Sequence, residues 1–352
     1  MSVEAPGAVA SAERLARLCQ AMAGRFLDGG RLLAVGHSPG ERSDVRHVTV
    51  EFVHPVIVGK RALPALGIAA EGGRLDTQMA LAAEPSDMVI GFGAHPETVA
   101  AVEVARSRGC LVVDLGTHDQ EQAETTYHVL WELVHVFFEH RRGAGPGAGA
   151  SSFLDPMLEA RTADDEEAVV ADVARSMLMK QEEAAALRER TLADNADELA
   201  RGAELLRERL ARGGRLLALG NGGSATDAMD VVADARTAGM RALDLTEDTA
   251  VITAVANDVG VEAVFSRQVI AHGRPDDVLL CLSTSGGSAN VLHALETARR
   301  RGLATIAFVG YDGGRILAER LADVVIVSRS QHIPRIQEAQ ATAYHDLLGR
   351  LL

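Results

Sequence analysis

The sequence has few aromatic residues, no excess of basic charge and no long apolar run, and each absence excludes a class of protein. Aromatic residues make up 3% of the 352 residues and apolar residues 47%, a balance that favours helix-rich α/β packing over an all-β sandwich. The 35 basic and 49 acidic residues give a net charge of −14, so the basic face of a nucleic-acid-binding protein is missing. No run approaches a membrane span and the N-terminus has no signal-peptide pattern, so we expect a soluble, cytoplasmic protein without a membrane partner.

Cysteine is equally scarce. Cys19, Cys110 and Cys281 stand far apart and form no CxxC pair. This spacing favours a reducing compartment and excludes a disulfide framework or a thiolate zinc site. Because free cysteine is among the most buried residue types, we predict that all three are core residues.

What the sequence does contain is an internal repeat. Three blocks occur twice in the same order, and the members of each pair share their pattern of apolar runs, loops and helical segments. The pairs are residues 28–52 with 212–234, 87–117 with 277–310, and 120–128 with 337–345. Ordered self-similarity of this kind indicates a duplicated domain.

The alternation of short apolar runs with helical patterns predicts parallel strands and crossover helices on both faces of each sheet. We therefore expect an α/β protein of two tandem, doubly wound domains, each a flavodoxin-like three-layer αβα sandwich. A Gly/Ala/Pro-rich stretch without apolar periodicity predicts a linker at residues 141–155, between domains at 1–140 and 156–352. Residues 163–212 are predicted to form two charged helices.

The first candidate binding loop of the second copy follows an apolar run and opens a helix. It consists of Asn221, Gly222, Gly223 and Ser224. Glycines allow close backbone approach, and the amides of a helix N-terminus attract an oxyanion. The alternative is a tight βα turn that simply needs glycine.

A second loop of this copy carries several hydroxyl groups before another helix start, at Ser283, Thr284, Ser285 and Ser288. Hydroxyls and backbone amides together can surround a phosphate without a lysine or a metal. The alternative is an ordinary helix cap, although a cap needs only one hydroxyl. Both loops follow strands, where open α/β sheets bind ligands.

The first copy lacks these loop features. Pro39 interrupts the glycine turn, and residues 91–97 contain no hydroxyl group. The phosphate site of the first copy is therefore predicted to be defunct.

Both copies place candidate acid, base and metal-ligating groups on helices. His47 and Glu51 in the first copy correspond to Asp230 and Asp234 in the second, and a spacing of four puts each pair on one helix face. A Gln and a His eight residues apart also share a face. These pairs are Gln120 with His128 and Gln337 with His345. The alternatives are a surface pair for His47 and Glu51, and a hydrogen-bonded core histidine for His128.

These blocks resemble the SIS (sugar isomerase) domain, in its phosphoheptose isomerase branch. The residues that carry the resemblance are GNGGSATDAM (220–229), AVANDVGVEAVFSRQV (254–269), DVLLCLSTSGGSANV (277–291), YDGG (311–314) and RIQE (335–338). The resemblance covers nearly all of residues 190–352, and residues 12–140 look like a diverged copy. Proteins of this branch convert sedoheptulose 7-phosphate to D-glycero-D-manno-heptose 7-phosphate, and the resemblance implies the same aldose–ketose isomerisation here.

The resemblance also implies a set of substrate contacts. They are Asn221, Gly222, Gly223, Ser224, Asn257, Asp258, Ser283, Thr284, Ser285, Ser288 and Gln337. The family uses a glutamate as candidate base and a last-helix histidine as candidate acid, which implies Glu51 or Asp234 as base and His128 or His345 as acid.

In the family these groups often surround zinc, and the resemblance implies no organic cofactor. The implied zinc ligands are His47, Glu51, Gln120 and His128, with Asp230, Asp234, Gln337 and His345 as the alternative set. The second copy departs from the family, because it has aspartates in place of the first-helix histidine and glutamate. Each copy retains what the other has altered.

In the family that this sequence resembles, the proteins are tetramers with active sites at subunit interfaces. The resemblance therefore implies a homodimer that forms a pseudo-tetramer of SIS domains. It also implies an active site shared by the two copies. The predicted partner is a phosphorylated sugar. The main rival is a non-catalytic sugar-phosphate-binding or protein-interaction module of the DnaA initiator-associating type. The two aspartates favour this rival, whereas Gln337 and His345 oppose it. A different sugar-phosphate reaction is the third possibility.

Overall fold

A computed structural model describes residues 6–55, 60–69, 72–141 and 166–351. The chain divides into two compact units, Met1–Glu183 and Ala184–Leu352, called here the first and second unit. The predicted linker at 141–155 lies outside the described residues, apart from Arg141 at the end of a helix. The boundary between the units falls inside a helix, Glu166–Asp194.

The first unit contains a four-stranded parallel sheet. Its elements are α1 (Pro6–Leu27), β1 (Leu32–Val35), α2 (Pro39–Val53), β2 (Ala65–Ile68), α3 (Leu75–Ala82), β3 (Met88–Phe92), α4 (Pro96–Ser107), β4 (Leu111–Leu115) and α5 (Gln120–Arg141), followed by α6 (Glu166–Asp194). The strand order is β2-β1-β3-β4. From β1 the chain adds β2 on one side and then crosses to add β3 on the other side. The pair β1 and β3 is therefore the topological switch point.

The second unit repeats this arrangement with one more strand. Its elements are α7 (Ala196–Ala211), β5 (Leu216–Leu219), α8 (Gly223–Thr237), β6 (Ala242–Asp244), α9 (Thr249–Asp258), a short 3-10 helix (Val261–Ala263), α10 (Val264–His272), β7 (Val278–Ser283), α11 (Ala289–Arg300), β8 (Ala304–Gly310), α12 (Gly314–Ala318), β9 (Val324–Ser328) and α13 (Ile333–Gly349). The parallel strands have the order β6-β5-β7-β8-β9, so the switch point lies between β5 and β7.

Each sheet is covered on both faces. Along β1, Leu32 and Ala34 pack into one core, which also contains residues of α1, α2 and α5. Leu33 and Val35 pack into a second core with α3 and α4. In the second unit, one core lies between the sheet and α7, α8 and α13, and the other between the sheet and α10 and α11. The prediction of two tandem three-layer αβα domains is confirmed.

The predicted pair of charged helices is also observed, as α6 and α7. The break between them falls at Asn195, whose buried side chain bonds to the backbone of the second sheet. Its Nδ2 donates to the carbonyl oxygen of Val327 at 3.1 Å, and its Oδ1 accepts from Val327 N at 2.9 Å. Asn195 thus ties the helix break to β9.

Two of the three cysteines are core residues, and the prediction for the third is wrong. Cys19 and Cys281 are fully buried, but Cys110 is only partly buried. The reason is position, because Cys110 immediately precedes β4, which forms one edge of the first sheet. Within the described residues, no helix combines the length and the hydropathy that a membrane crossing needs.

Candidate functional site

The two candidate binding loops of the second unit lie side by side. The first follows β5 and the second follows β7, and these strands are paired in parallel, with Leu219 opposite Cys281. Asn221 and Asn290 join the loops by two reciprocal side-chain hydrogen bonds of 2.9 and 2.8 Å. The loops therefore form one continuous rim at the switch point of the sheet.

The hydroxyl groups of the second loop are not used to cap α11. Ser288 occupies the N-cap position but makes no side-chain capping bond, and Val291 N instead donates to Asn290 Oδ1 at 3.0 Å. Ser283 Oγ accepts from Gly286 N at 3.2 Å, and Ser285 Oγ accepts from Gly287 N at 3.3 Å. These bonds shape the loop itself, which argues against the ordinary-cap alternative.

A third loop, after β8, packs against the second. A Cβ on Gly286 would overlap the carbonyl oxygen of Gly313, and a Cβ on Gly314 would overlap that of Ser285. Gly286 also has a positive φ of 59°, which a side chain disfavours. The backbone of the second loop, residues 283–290 and called here the serine loop, is therefore held in one conformation by the loop after β8.

The other predicted contacts have different surroundings. Ser224 is buried in the first turn of α8, and Gln337 is buried on α13. Asn257 and Asp258 are exposed at the end of α9, where Asn257 Nδ2 donates to Asp258 Oδ1 at 2.8 Å. Among the described contacts, neither of these two residues reaches the serine loop.

A carboxylate–imidazole cluster lies where α8 packs against α13. His345 Nε2 is 3.2 Å from Asp230 Oδ2 and 3.4 Å from Asp234 Oδ2. The Tyr344 hydroxyl donates to the same Asp230 oxygen at 2.8 Å. Asp230 is buried, whereas the Asp234 side chain is 46% exposed. Burial raises the pKa of Asp234, the charge of Asp230 raises it further, and His345 opposes both effects.

The first unit has the matching cluster where α2 packs against α5. His128 Nε2 lies 3.4 Å from His47 Nε2, and His47 Nε2 lies 3.9 Å from Glu51 Oε1. All three side chains are buried. The surface-pair alternative for His47 and Glu51 is therefore wrong, because both residues face α5 rather than solvent.

Burial dominates the protonation of this first cluster. It lowers the pKa of His47 well below its usual range, and the neighbouring His128 lowers it further. Burial also raises the pKa of Glu51 to about 7, with His128 acting against this shift and Glu132 adding to it. A buried carboxyl group with such a pKa can accept a proton near neutral pH.

The first cluster fits a metal ion. One ligand atom from each of His47, Glu51 and His128 lies within 4.8 Å of the others, and Glu51 Oε2 is buried without a hydrogen-bond partner. Imidazole nitrogen and carboxylate oxygen are zinc ligands. Gln120, the fourth predicted ligand, donates from Nε2 to Asp44 Oδ1 at 3.5 Å, and its Oε1 is buried without a partner. Asp230, Asp234 and His345 also place ligand atoms within 4.8 Å of one another.

Two residues of the second unit were missed at the sequence level. Tyr344 holds Asp230, and Asn290 holds Asn221. The Tyr-His dipeptide that both copies share, at 127–128 and 344–345, is the signal that could have identified Tyr344. Asn290 had no comparable signal, because pairing of two loop amides depends on the register of β5 and β7.

The fold and these loops define a doubly wound α/β protein with glycine- and hydroxyl-rich loops at the switch point of its second sheet. A family model described as "SIS domain" matches residues 181–310. The chain is 43% identical over 164 residues to the phosphoheptose isomerase of Rhodospirillum rubrum, a match that covers 45% of this chain and 86% of that protein. The chain belongs to the SIS-domain family.

Two further comparisons agree. The phosphoheptose isomerase of Desulfovibrio desulfuricans is 45% identical over 167 residues, which cover 46% of this chain and 79% of that protein. The structure of the C-terminal domain of glucosamine-fructose-6-phosphate aminotransferase from Francisella tularensis is also similar, with a TM-score of 0.54 and 9% identity. The alignment covers 98% of this chain and 94% of that chain. The second likeness concerns the fold alone, and it extends over both units.

Proposed function

We propose that the chain is a phosphosugar isomerase of the SIS family that converts sedoheptulose 7-phosphate to D-glycero-D-manno-heptose 7-phosphate through an enediol(ate). The observation that carries the proposal is the layout of α8, which begins in the Asn221–Gly223 turn and carries Asp230 and Asp234 on the face that meets His345. The relatives named phosphoheptose isomerase support the choice of substrate.

The phosphate group is assigned to the joined loops. Backbone amides of residues 221–224 and the hydroxyls of Ser283, Thr284, Ser285 and Ser288 are its proposed donors. Asn257, Asp258 and Gln337 are proposed contacts of the sugar chain. The assignment is supported by the hydroxyl groups that α11 does not use and by the strand-end position of both loops.

The reaction needs one base and one acid. The base removes a proton from carbon 1 of the ketose and returns it to carbon 2, while the acid moves the proton between the oxygens of these carbons. Asp234 or Glu51 is the proposed base, and His345 or His128 the proposed acid. The pKa of Glu51, raised to about 7, favours proton transfer near neutral pH, and the pKa of Asp234 is also raised. That the two copies share one active site stays a prediction.

Zinc is proposed at His47, Glu51 and His128, with Gln120 as a further ligand. Asp230, Asp234, Gln337 and His345 are the alternative set. When bound, the metal would supply Lewis-acid stabilisation of a developing oxyanion.

Deuterium exchange tests the proposal. Purified protein, with and without added zinc, is incubated with sedoheptulose 7-phosphate in deuterated water and followed by NMR. We expect aldose phosphate to form with deuterium at carbon 2. Binding of the sugar phosphate without conversion or exchange would contradict the isomerase and favour the non-catalytic module. The aspartates on α8, which replace the family's histidine and glutamate, are the observation that favours this module.

A further inference from the structure

The turns that begin α2 and α8 differ at one informative position. In the first unit, β1 is followed by Gly36, His37, Ser38, Pro39, Gly40 and Glu41, and in the second, β5 is followed by Gly220, Asn221, Gly222, Gly223, Ser224 and Ala225. Glu41 therefore stands where the second unit has Ala225. The first turn has gained a carboxylate at the position where the second has only a methyl group.

Glu41 is the N3 residue of a capping box that begins α2, in which Ser38 Oγ accepts from Glu41 N at 3.3 Å and the Glu41 carboxylate folds back onto its own turn. Its Oε2 accepts from His37 N at 2.7 Å and from Ser38 N at 3.0 Å. The matching amides of the second unit belong to Asn221 and Gly222, and no hydrogen bond to them occurs among the described contacts. Two amides that remain open to an anion in the second unit are thus occupied by an anionic side chain in the first.

The other carboxylate oxygen reaches the neighbouring loop. Gly93 follows β3, the strand paired with β1, and a Cβ on Gly93 would overlap Glu41 Oε1. Ser283, the last residue of β7, stands at the matching position in the second unit. The carboxylate therefore lies between the two strand-end loops, at the switch point of the first sheet.

A second carboxylate, that of Glu97, also lies near this turn and would oppose a further anion. The rings of His37 and His95 stack with centroids 3.6 Å apart, and Glu97 Oε2 lies 3.9 Å from His37 Nδ1. A phosphate entering this crevice would have to displace Glu41 and would lie close to Glu97. Because Glu41 is tethered to the same helix, its effective concentration at the amides is high.

We infer that Glu41 is a built-in substitute for the phosphate group in the first unit, so that each chain binds one sugar phosphate, in the second unit alone. This inference rests on the proposed phosphate role of the second-unit loops. It explains in physical terms why the first unit needs no serine loop, since its anion is supplied by the chain itself.

Reciprocal substitutions test the inference. Equilibrium dialysis with radiolabelled inorganic phosphate should give one equivalent per wild-type chain, two for Glu41→Ala, and none for Ala225→Glu. The double variant should regain one equivalent, now in the first unit. Glu41→Gln is the matched control, because its amide oxygen still accepts from the same backbone groups, and it should bind one equivalent. Ala225→Ser, which adds no carboxylate, should also bind one.

The outcomes separate this inference from the proposed function. Two equivalents on the wild-type chain, or no gain in folded Glu41→Ala protein, would overturn it. Retained binding by folded Ala225→Glu protein would also overturn it, and this variant does not depend on how well Glu41→Ala folds. If the wild-type chain binds no phosphate, the assignment of the phosphate group to the second-unit loops fails. A gain of one equivalent in Glu41→Ala would then still support the role of Glu41.

Discussion

Asp87 and Asp277 form the same contact in the two units. Asp87 accepts from the backbone N–H of Arg31 at 2.9 Å and from its guanidinium at 2.7 Å, which ties the starts of β1 and β3 together. Asp277 binds Arg215 in the same way, with distances of 2.8 and 2.7 Å. Both aspartates are almost fully buried. A buried carboxylate with several charge-assisted hydrogen bonds is stabilising only while it stays charged.

We expect Asp87→Asn to lower the free energy of unfolding by about 2 kcal/mol at pH 7, because two strands lose a charged tie. Burial opposes the charge of Asp87, but the hydrogen bonds from Arg31 and from the backbone outweigh it, so the pKa of Asp87 is lowered. The contribution is therefore complete above the unfolded pKa of about 4 and disappears as the pH falls through the lower folded value.

Urea unfolding at neutral and acidic pH measures this effect. Asp114→Asn is the matched control, because the Asp114–Arg106 pair is exposed and should contribute well under about 1 kcal/mol. An equal loss of stability for Asp87→Asn at neutral and at acidic pH would contradict the assignment, because the contribution of Asp87 should shrink as its carboxyl group becomes protonated.

The two carboxylates proposed as bases differ in environment, and substitution separates them. If Asp234 is the base, Asp234→Asn should lower kcat by about 10²- to 10⁴-fold, and Glu51→Gln should do so if Glu51 is the base. Likewise, His345→Ala should lower kcat if His345 is the acid, and His128→Ala should do so if His128 is the acid. The rate is measured by NMR of aldose phosphate formation at saturating ketose phosphate.

Asp346→Asn is the control for Asp234→Asn, because Asp346 lies on α13 next to His345 but pairs with Arg350. Its rate should equal that of the wild-type protein. Unchanged turnover in both Glu51→Gln and Asp234→Asn would rule out the proposed mechanism.

At the scale of single elements, the serine loop depends on glycine. Gly286→Ala should weaken sugar-phosphate binding about tenfold, because a side chain at its positive φ costs about 1–2 kcal/mol and collides with Gly313. Gly287→Ala is the neighbouring control, since a Cβ there meets only ordinary van der Waals contacts.

Isothermal titration calorimetry measures the affinity, and thermal unfolding measures the accompanying loss of stability. We expect Gly287→Ala to unfold at the wild-type temperature and Gly286→Ala to unfold earlier. Wild-type affinity in Gly286→Ala would mean that the serine loop does not hold the phosphate.

The elements themselves could be predicted from the sequence because their signals are local. The runs RLLAV and RLLAL contain the β1 and β5 strands, and both are followed by glycine-containing turns that open helices. The helical spacing placed Asp230 and Asp234 on one face of α8, whereas their grouping with His345 was implied by the family resemblance. Contacts set by tertiary register, such as that of Asn221 with Asn290, were not predictable. The partial exposure of Cys110 depended on which strand forms the sheet edge.

At the scale of the whole molecule, α9 and the segment after it expose an apolar surface. No residue of α9 is buried, and Val259 and Val261 are 54% and 64% exposed. Exposed apolar patches on folded proteins mark interaction surfaces. The homodimer stays a prediction, and we propose this surface as part of its interface.

Val261→Asp should therefore shift the chain from dimer towards monomer, because a buried unpaired charge is costly at an interface. Sedimentation velocity across a concentration series measures the shift. Val99→Asp, at a half-exposed position of α4, is the control and should leave the dimer intact. A wild-type chain that sediments as a monomer would contradict the homodimer.

The Asn221–Gly222 turn also bears on how the protein ages. An asparagine followed by glycine is prone to deamidation, because the unhindered glycine amide can attack the side-chain carbonyl and form a succinimide. Asn221 is exposed, and its pairing with Asn290 restrains that approach. The resulting aspartate would carry a negative charge beside the proposed phosphate position and would repel the ligand. Stored protein should therefore lose sugar-phosphate affinity in step with deamidation at residue 221, which peptide mass spectrometry can follow.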